Sequence, residues 1–214
     1  MTVLELRNVS KHFDGVVALD GVSFKLQQGK TLGLVGGNGC GKTTLLNAIT
    51  KMVVPTKGEI FFKENRIDKL QAHEIAKLGI GRIFQSGGVF KNMTVLENLL
   101  VAVEGADKGK AEEILRELGL HAKLHHKAAT LSGGQQRLLE FGRAMLRNDE
   151  LILLDEPFAG VSKENSKKIE EIVQKLQGEG KTIILIEHDA ARIKRLCNEL
   201  IELDKGKIIK SHAL

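Results

Sequence analysis

The chain has 214 residues, 42% of them apolar, enough to bury a core as one domain or as a domain with a subdomain. A net charge of +5 spread through mixed signs, 4% aromatics and no Trp or Tyr speak against nucleic-acid binding, since little is present to stack on bases. Two cysteines make neither a disulfide framework nor a metal-ligand spacing, and the longest aliphatic runs, Leu151–Leu154 and Ile183–Ile186, fall far short of the roughly 20 residues of a membrane span.

The opening stretch MTVLELRNVSKHFDG alternates like a strand and lacks the apolar centre of a signal peptide, so a cytosolic location is expected. Strands are expected at Val3–Val9, Val16–Leu26 and Thr31–Val35. The next stretch, GGNGCGKTT from Gly36 to Thr44, fits G-x-x-x-x-G-K-[ST] with Gly36, Gly41, Lys42 and Thr43. It lies between the apolar run TLGLV and LLNAIT, which has helical spacing, so it reads as strand, tight loop, helix. Glycines let such a loop curl its N–H groups inward onto phosphate oxygens, and the helix starting near Lys42 adds its positive end. Lys42 is then placed to bridge β- and γ-phosphates and Thr43 to ligate Mg²⁺, while side chains at Gly39 or Gly41 are expected to block the approach. Chance would produce the pattern in roughly one random chain of this length in a hundred, before the flanking strand and helix are counted. Cys40, inside the loop, reads either as a small filler or as a thiol whose alkylation inhibits the enzyme unless nucleotide protects it.

Further strands are expected at Glu59–Phe62 and Gly81–Phe84. From Ser86 to Thr130 β-branched alternation fades, and the region reads as an inserted helical subdomain in which Ala111, Ile114, Leu115 and Leu118 form one face closed by Gly119. His121, His125 and His126 have no carboxylate or cysteine at ligand spacing and read as a solvated helix end or loop. LSGGQQ, Leu131–Gln136, sets Ser and two glycines before the helical run QQRLLEFGRAML, which is either another anion site at a helix start or an ordinary Ser-capped helix. LILLDEP, Leu151–Pro157, is an aliphatic strand ending in two carboxylates, Asp155 to hold Mg²⁺ through water and Glu156 to orient or deprotonate the attacking water. Lys163–Gln177 carries Ile169, Ile172, Val173 and Leu176 on one face, with Ser162 placed to cap its start and Gly178 its end. Strands at Thr182–Glu187 and Leu200–Leu203 complete an alternation that argues a mostly parallel sheet covered by helices.

These elements in this order, GGNGCGKTT, LSGGQQ and LILLDEP, closely resemble the ATP-binding cassette family over the whole chain. The resemblance implies an α/β P-loop nucleotide-binding domain with an antiparallel β portion near the N-terminus. The single domain would have its core at about residues 1–85 and 136–214, with the helical subdomain at about 86–135. Gln85 in GRIFQ matches the family's glutamine loop, His188 in LIEHD its switch histidine and Phe13 in KHFDG the aromatic that stacks on adenine. By the same resemblance Gly36, Gly37, Asn38, Gly39, Cys40, Gly41, Lys42, Thr43 and Thr44 cradle ATP, and Thr43, Gln85 and Asp155 serve Mg²⁺. Glu156 is the catalytic carboxylate, assisted by Lys42, Gln85 and His188, and Ser132, Gly133, Gly134 and Gln135 act on the ATP of a second cassette in a head-to-tail homo- or heterodimer.

Finer phrases, AHEIAKLGIGRIFQ, MTVLENLLVA, LLDEPFAGV and LIEHD, look like the ATP-binding subunits of branched-chain amino-acid and related amide importers, although the lipopolysaccharide-export cassette shares DEPFAGV. The implied partners are transmembrane permease subunits docked through the helical subdomain on the inner face of the membrane and an extracytoplasmic solute-binding protein. Val89, Phe90, Met93 and Leu96 would line the receiving groove or else form a small internal core. Ser162 stands where the family usually has Asp. Two competing readings are weaker: a soluble cassette ATPase acting on a macromolecule would be expected to carry a second cassette or insertions, and a GTP switch would need more than NRID at Asn65–Asp68 and has no place for LSGGQQ.

Overall fold

The computed structural model describes residues 1–85 and 88–214; Ser86 and Gly87, where the helical subdomain is expected to begin, lie outside the described residues. Strands β1 (Thr2–Phe13) and β2 (Val16–Gln27) form an antiparallel hairpin, joined by Asp14 and Gly15, both at positive φ. Such a two-residue turn matches the right-handed twist of its strands, and it carries β1 four residues past the expected end at Val9, to Phe13. With β4 (Lys57–Phe62) and the two-residue β5 (Asn65–Arg66) the hairpin makes an antiparallel sheet of order β2-β1-β4-β5.

The second sheet has order β10-β9-β3-β8-β7-β6, comprising β3 (Thr31–Val35), β6 (Ile80–Ile83), β7 (Leu151–Asp155), β8 (Thr182–Ile186), β9 (Glu199–Asp204) and β10 (Lys207–Ala213). All pairs are parallel except β9 with β10 at the edge. Residues alternate between two cores: Leu151, Leu153, Ile184 and Ile186 face one, Ile152, Leu154, Ile183 and Leu185 the other. Burial on both faces is why these strands read as unbroken aliphatic runs.

The first core lies between the two sheets and is filled by Leu45, Leu46 and Ile49 of α1 (Lys42–Ile49) and by Ile75 of α2 (Ala72–Lys77). The second is covered by α6 (Lys163–Gly178) and α7 (Ala190–Leu196) and is continuous with the packing of α3 (Val95–Leu100), α4 (Lys108–Glu117) and α5 (Gly133–Arg147). The face Ala111, Ile114, Leu115 and Leu118 is buried as expected, and Gly119, at φ 70°, ends that run. Ile169, Ile172, Val173 and Leu176 are likewise buried, and the Ser162 hydroxyl accepts from the Asn165 N–H at the start of α6. α6 ends at Gly178, where the sequence placed its stop, and the left-handed residue that follows is Gly180 at φ 76°. Val89 and Leu96 pack into the helical core, whereas Phe90 is exposed.

Candidate functional site

β3, β8, β7 and β6 end along the same edge of the parallel sheet, the edge where open α/β sheets bind ligands. The glycine loop leaves β3 there. Gly36 has φ 141°, and a Cβ on it would lie 2.2 Å from the Leu203 carbonyl oxygen and 2.7 Å from Cys40 Sγ. At Gly41, φ 112°, a Cβ would lie 2.4 Å from the Ala18 carbonyl oxygen. Both glycines are demanded by the loop's own supports, β2 and the end of β9, a constraint separate from the expected approach of phosphate. At Gly39, φ 74°, a Cβ would meet no atom of the described residues within 4 Å, so there the demand is conformational. The β9–β10 turn braces the loop from below, with Gly206 N–H donating to the Cys40 carbonyl at 2.9 Å.

Gly41 is the N-cap of α1 and offers no side-chain cap, so the first-turn amides are left for an external acceptor. Lys42 is buried, and its Nζ donates to the carbonyls of Gly36 at 2.8 Å and Gly37 at 2.9 Å. Thr43 Oγ1 donates to Asp155 Oδ1 at 3.4 Å. Asp155 ends β7, and its Oδ2 takes an ion pair from Arg82 Nη2 at 2.8 Å, with Asp155 2% and Arg82 5% exposed. Burial pulls the Arg82 guanidinium below its ordinary pKa, against the opposing pull of Asp155.

Glu156 sits at φ 47°, a backbone region that costs a residue with a Cβ roughly 1–3 kcal/mol and is frequent at functional sites. Its Oε2 accepts from Gln85 Nε2 at 2.8 Å, and its Oε1 lies 3.1 Å from His188 Nε2. Three segments far apart in sequence thus converge on one carboxylate. A cavity of about 630 Å³ opens between them and the loop, lined by Asn38, Gly39, Gly41, Lys42, Thr43 and Thr44 on one side and Gln85, Glu156 and His188 on the other. The hard oxygens of Thr43, Asp155 and the Gln85 side chain suit Mg²⁺, which takes few protein ligands and fills its shell with water and phosphate. Among the described residues no group of three or more His, Cys, Asp and Glu is placed to hold a metal.

Other expected site residues stand elsewhere. Gly36, Gly37 and Cys40 belong to the loop but do not line the cavity, and the Cys40 side chain is 5% exposed and packs into the core between the sheets. Phe13 is 42% exposed at the hairpin tip, with Lys11 Nζ 4.7 Å above its ring. Ser132 caps α5: its Oγ accepts from Gln135 N–H at 3.3 Å, while Gln135 Oε1 accepts from Ser132 N–H at 3.2 Å. Neither these residues nor Gly133 and Gly134 line this cavity.

Two arginines beside these residues carry no sign in the sequence. Arg82 is one; the other is Arg137, buried on α5, which donates to the carbonyls of Phe84 and, at 2.7 Å, Gln85, and pairs with Glu140 at 2.8 Å. The Arg137–Glu140 spacing was visible on a helix, but its reach to the Gln85 backbone was not. Arg82 also faces a second cavity, about 400 Å³, between α2, β6 and α5, whose walls include Ile75, Ile80, Ile83, Phe84, Arg143 and Ala144.

Residues 19–159, more than half of the chain, match the family model for the ABC transporter. A probable branched-chain amino acid transport ATP-binding protein, LivG, of Archaeoglobus fulgidus is 34% identical over 98% of this chain and 88% of its own length. The lipopolysaccharide export system ATP-binding protein LptB of Acidithiobacillus ferridurans is 32% identical over 97% of this chain and 88% of its own. Among solved structures, the ADP conformation of MJ1267, an ATP-binding cassette of an ABC transporter, superposes with TM-score 0.90 at 34% identity, covering 100% of this chain and 92% of that one. The dimeric structure of the cassette MJ0796 gives 0.88 at 30% identity, covering 99% and 98%.

Proposed function

The chain belongs to the ABC transporter family and is an ATPase that powers transport, and we propose that it serves an importer of branched-chain amino acids or related amides. One observation carries the hydrolytic reading: Lys42, Thr43, Gln85, Glu156 and His188 line the cavity at the parallel sheet's edge, with Asp155 behind them hydrogen-bonded to Thr43. The buried Lys42 ammonium and the uncapped amides of α1 supply the positive charge that the β- and γ-phosphates of ATP require. Glu156, oriented by Gln85 and His188, takes a proton from the attacking water, and His188 meets the γ-phosphate. Mg²⁺, held by Thr43, Gln85 and Asp155, would neutralise phosphate charge as it develops.

Pairing with a second cassette supports the rest of the site. The α5 N-terminus with Ser132, Gly133, Gly134 and Gln135 is apart from its own chain's cavity, so its N–H groups suit the nucleotide of a head-to-tail partner. Phe13, exposed at the hairpin tip, suits the adenine face. The groove between α2, β6 and α5 suits a permease helix, although it is not lined by the expected Val89, Phe90, Met93 or Leu96, and no described helix is long and apolar enough to cross a membrane. In this reading the cassette docks on the cytoplasmic face of permease subunits that an extracytoplasmic solute-binding protein serves.

Light scattering of Glu156→Gln with and without ATP and Mg²⁺ tests the reading: an ATP-dependent monomer-to-dimer shift is expected. A variant that hydrolyses ATP at the normal rate would count against Glu156 as the essential carboxylate. For the solute, uptake of labelled leucine, valine and short amides should fall when the gene is disrupted in its own organism. Unchanged uptake together with defective envelope lipid export would favour the second reading, an export cassette, which the LptB relative supports.

A further inference from the structure

His188 is half exposed, with 49% of its side chain in solvent, and its side-chain hydrogen-bond partner is Glu156. Its position is therefore set by the backbone turn that carries it, and both neighbours in that turn address one guanidinium. Arg192 Nη1 donates to Glu187 Oε1 at 2.8 Å and lies 3.8 Å from Asp189 Oδ2, while Glu187 Oε1 also accepts from the Asp189 N–H at 3.1 Å. The same guanidinium reaches α6 through Glu170 Oε1 at 2.9 Å and Ser166 Oγ at 3.3 Å. Its Cζ stands 4.0 Å above the ring of Phe158, a buried residue two positions after Glu156. One planar group thus ties the chain just past Glu156 to the chain on both sides of His188.

We propose that Arg192 is a positioning residue for hydrolysis, holding the turn of His188 against the strand end of Glu156. The proposal rests on the reading of those two residues as a hydrolytic pair. A lysine cannot replace it, because one ammonium cannot bridge Glu187 and Glu170 and stack on Phe158 together. Arg192→Lys and Arg192→Met are compared with wild type, in the native and in the His188→Ala background, by steady-state and single-turnover ATPase and by fluorescent-ATP affinity. Circular dichroism melts confirm that each variant is folded at the assay temperature, and the lysine variant serves if the methionine one does not fold.

Each substitution should lower kcat at least about tenfold, while KM and nucleotide affinity stay within about twofold. In the His188→Ala background the same substitutions should change kcat by less than about twofold, because the group they position is gone. Full kcat in folded Arg192→Lys, or an undiminished loss in the His188→Ala background, overturns the proposal and leaves the hydrolytic pair standing. Normal hydrolysis by His188→Ala alone would overturn the pair itself, and the proposal with it.

Discussion

Replacing Arg82 by Met would remove the counter-charge of the most deeply buried carboxylate in the site. Asp155 is 2% exposed, and its Oδ2 has Arg82 as its ionic partner at 2.8 Å, so the variant leaves a charge with no water to receive it. Truncating one partner of a buried pair costs roughly 3–5 kcal/mol. The hydrogen bonds from Arg82 Nη1 to Asn47 Oδ1 at 2.6 Å and Thr50 Oγ1 at 3.3 Å are lost as well, at roughly 1 kcal/mol each. Arg82 Nε is buried with no hydrogen-bond partner among the described residues, so its removal returns part of this cost. A net loss of about 3–5 kcal/mol corresponds to roughly 6–20 °C in Tm for a domain of this size. Urea denaturation should show a lower midpoint at unchanged m-value. The double variant Arg82→Met/Asp155→Asn should recover more than half of the loss, since neither charge then remains. A single-variant loss below about 1 kcal/mol, or strict additivity in the double variant, would refute the view of Arg82 as the compensating charge.

Gly41→Ala should abolish nucleotide binding, because its Cβ would strike the Ala18 carbonyl, whereas Gly39→Ala, with open space around it, should fold and bind more weakly; titration with a fluorescent ATP analogue separates the two. Cys40 and Cys197 are both buried, and burial followed by the nearby Glu187 charge pushes the Cys197 thiol up to about 12, so an aromatic disulfide should titrate Cys197 only after unfolding and reach the buried Cys40 slowly in the native state. Slow native labelling of Cys40 should remove ATPase activity in proportion, with ATP protecting; labelling of Cys40 that spares activity refutes its placement under the loop. At Glu170, burial raises the carboxyl pKa but Arg192 and Arg195 outweigh it, so the folded value lies below the unfolded one. This group's stabilisation is complete above the unfolded value of about 4.3 and is lost as pH falls through the lower folded value, and Glu170→Gln should flatten that acid limb in urea titrations. Ser162→Ala should cost about 1 kcal/mol by removing the cap on Asn165 N–H, and Ser162→Asp, which caps equally well, should not.

The fold was legible where burial is two-sided or periodic. Leu151–Leu154 and Thr182–Ile186 read as strands because nothing polar interrupts residues that must face two cores, and α6 read as a helix because four apolar residues repeat on one face. Short or one-layer elements were harder. α2 and α3 span six residues each, too few for a period, although Gln71 with Glu74 and Thr94 with Glu97 form capping boxes that mark their starts. β10 is exposed along nearly its whole length at a sheet edge, so no inward-outward alternation is imposed on KIIKSHA. The end of β1 was missed although Asp14–Gly15 is a hairpin signal, because Lys11 and His12 interrupt the apolar alternation.

For the site, the legible part is the part whose chemistry is local. A phosphate loop needs its glycines, lysine and threonine contiguous, and a strand that delivers carboxylates must end in them, so Lys42, Thr43, Asp155 and Glu156 announce themselves. The residues that aim these groups need only be near in space. Arg82 meets Asp155 73 positions away, Arg137 meets the Gln85 carbonyl 52 positions away, and Arg192 meets Glu170 22 positions away. An isolated arginine between apolar residues, as in GRIF, carries no local sign of which carboxylate it will find. The same holds for Gly41, whose motif position suggests phosphate contact while its φ of 112° and the Ala18 carbonyl 2.4 Å from a Cβ show that the neighbouring strand already forbids any other residue. Tertiary support of this kind becomes readable only when the chain is folded, and it makes the loop's shape, like the aim of Glu156, a property of the whole domain.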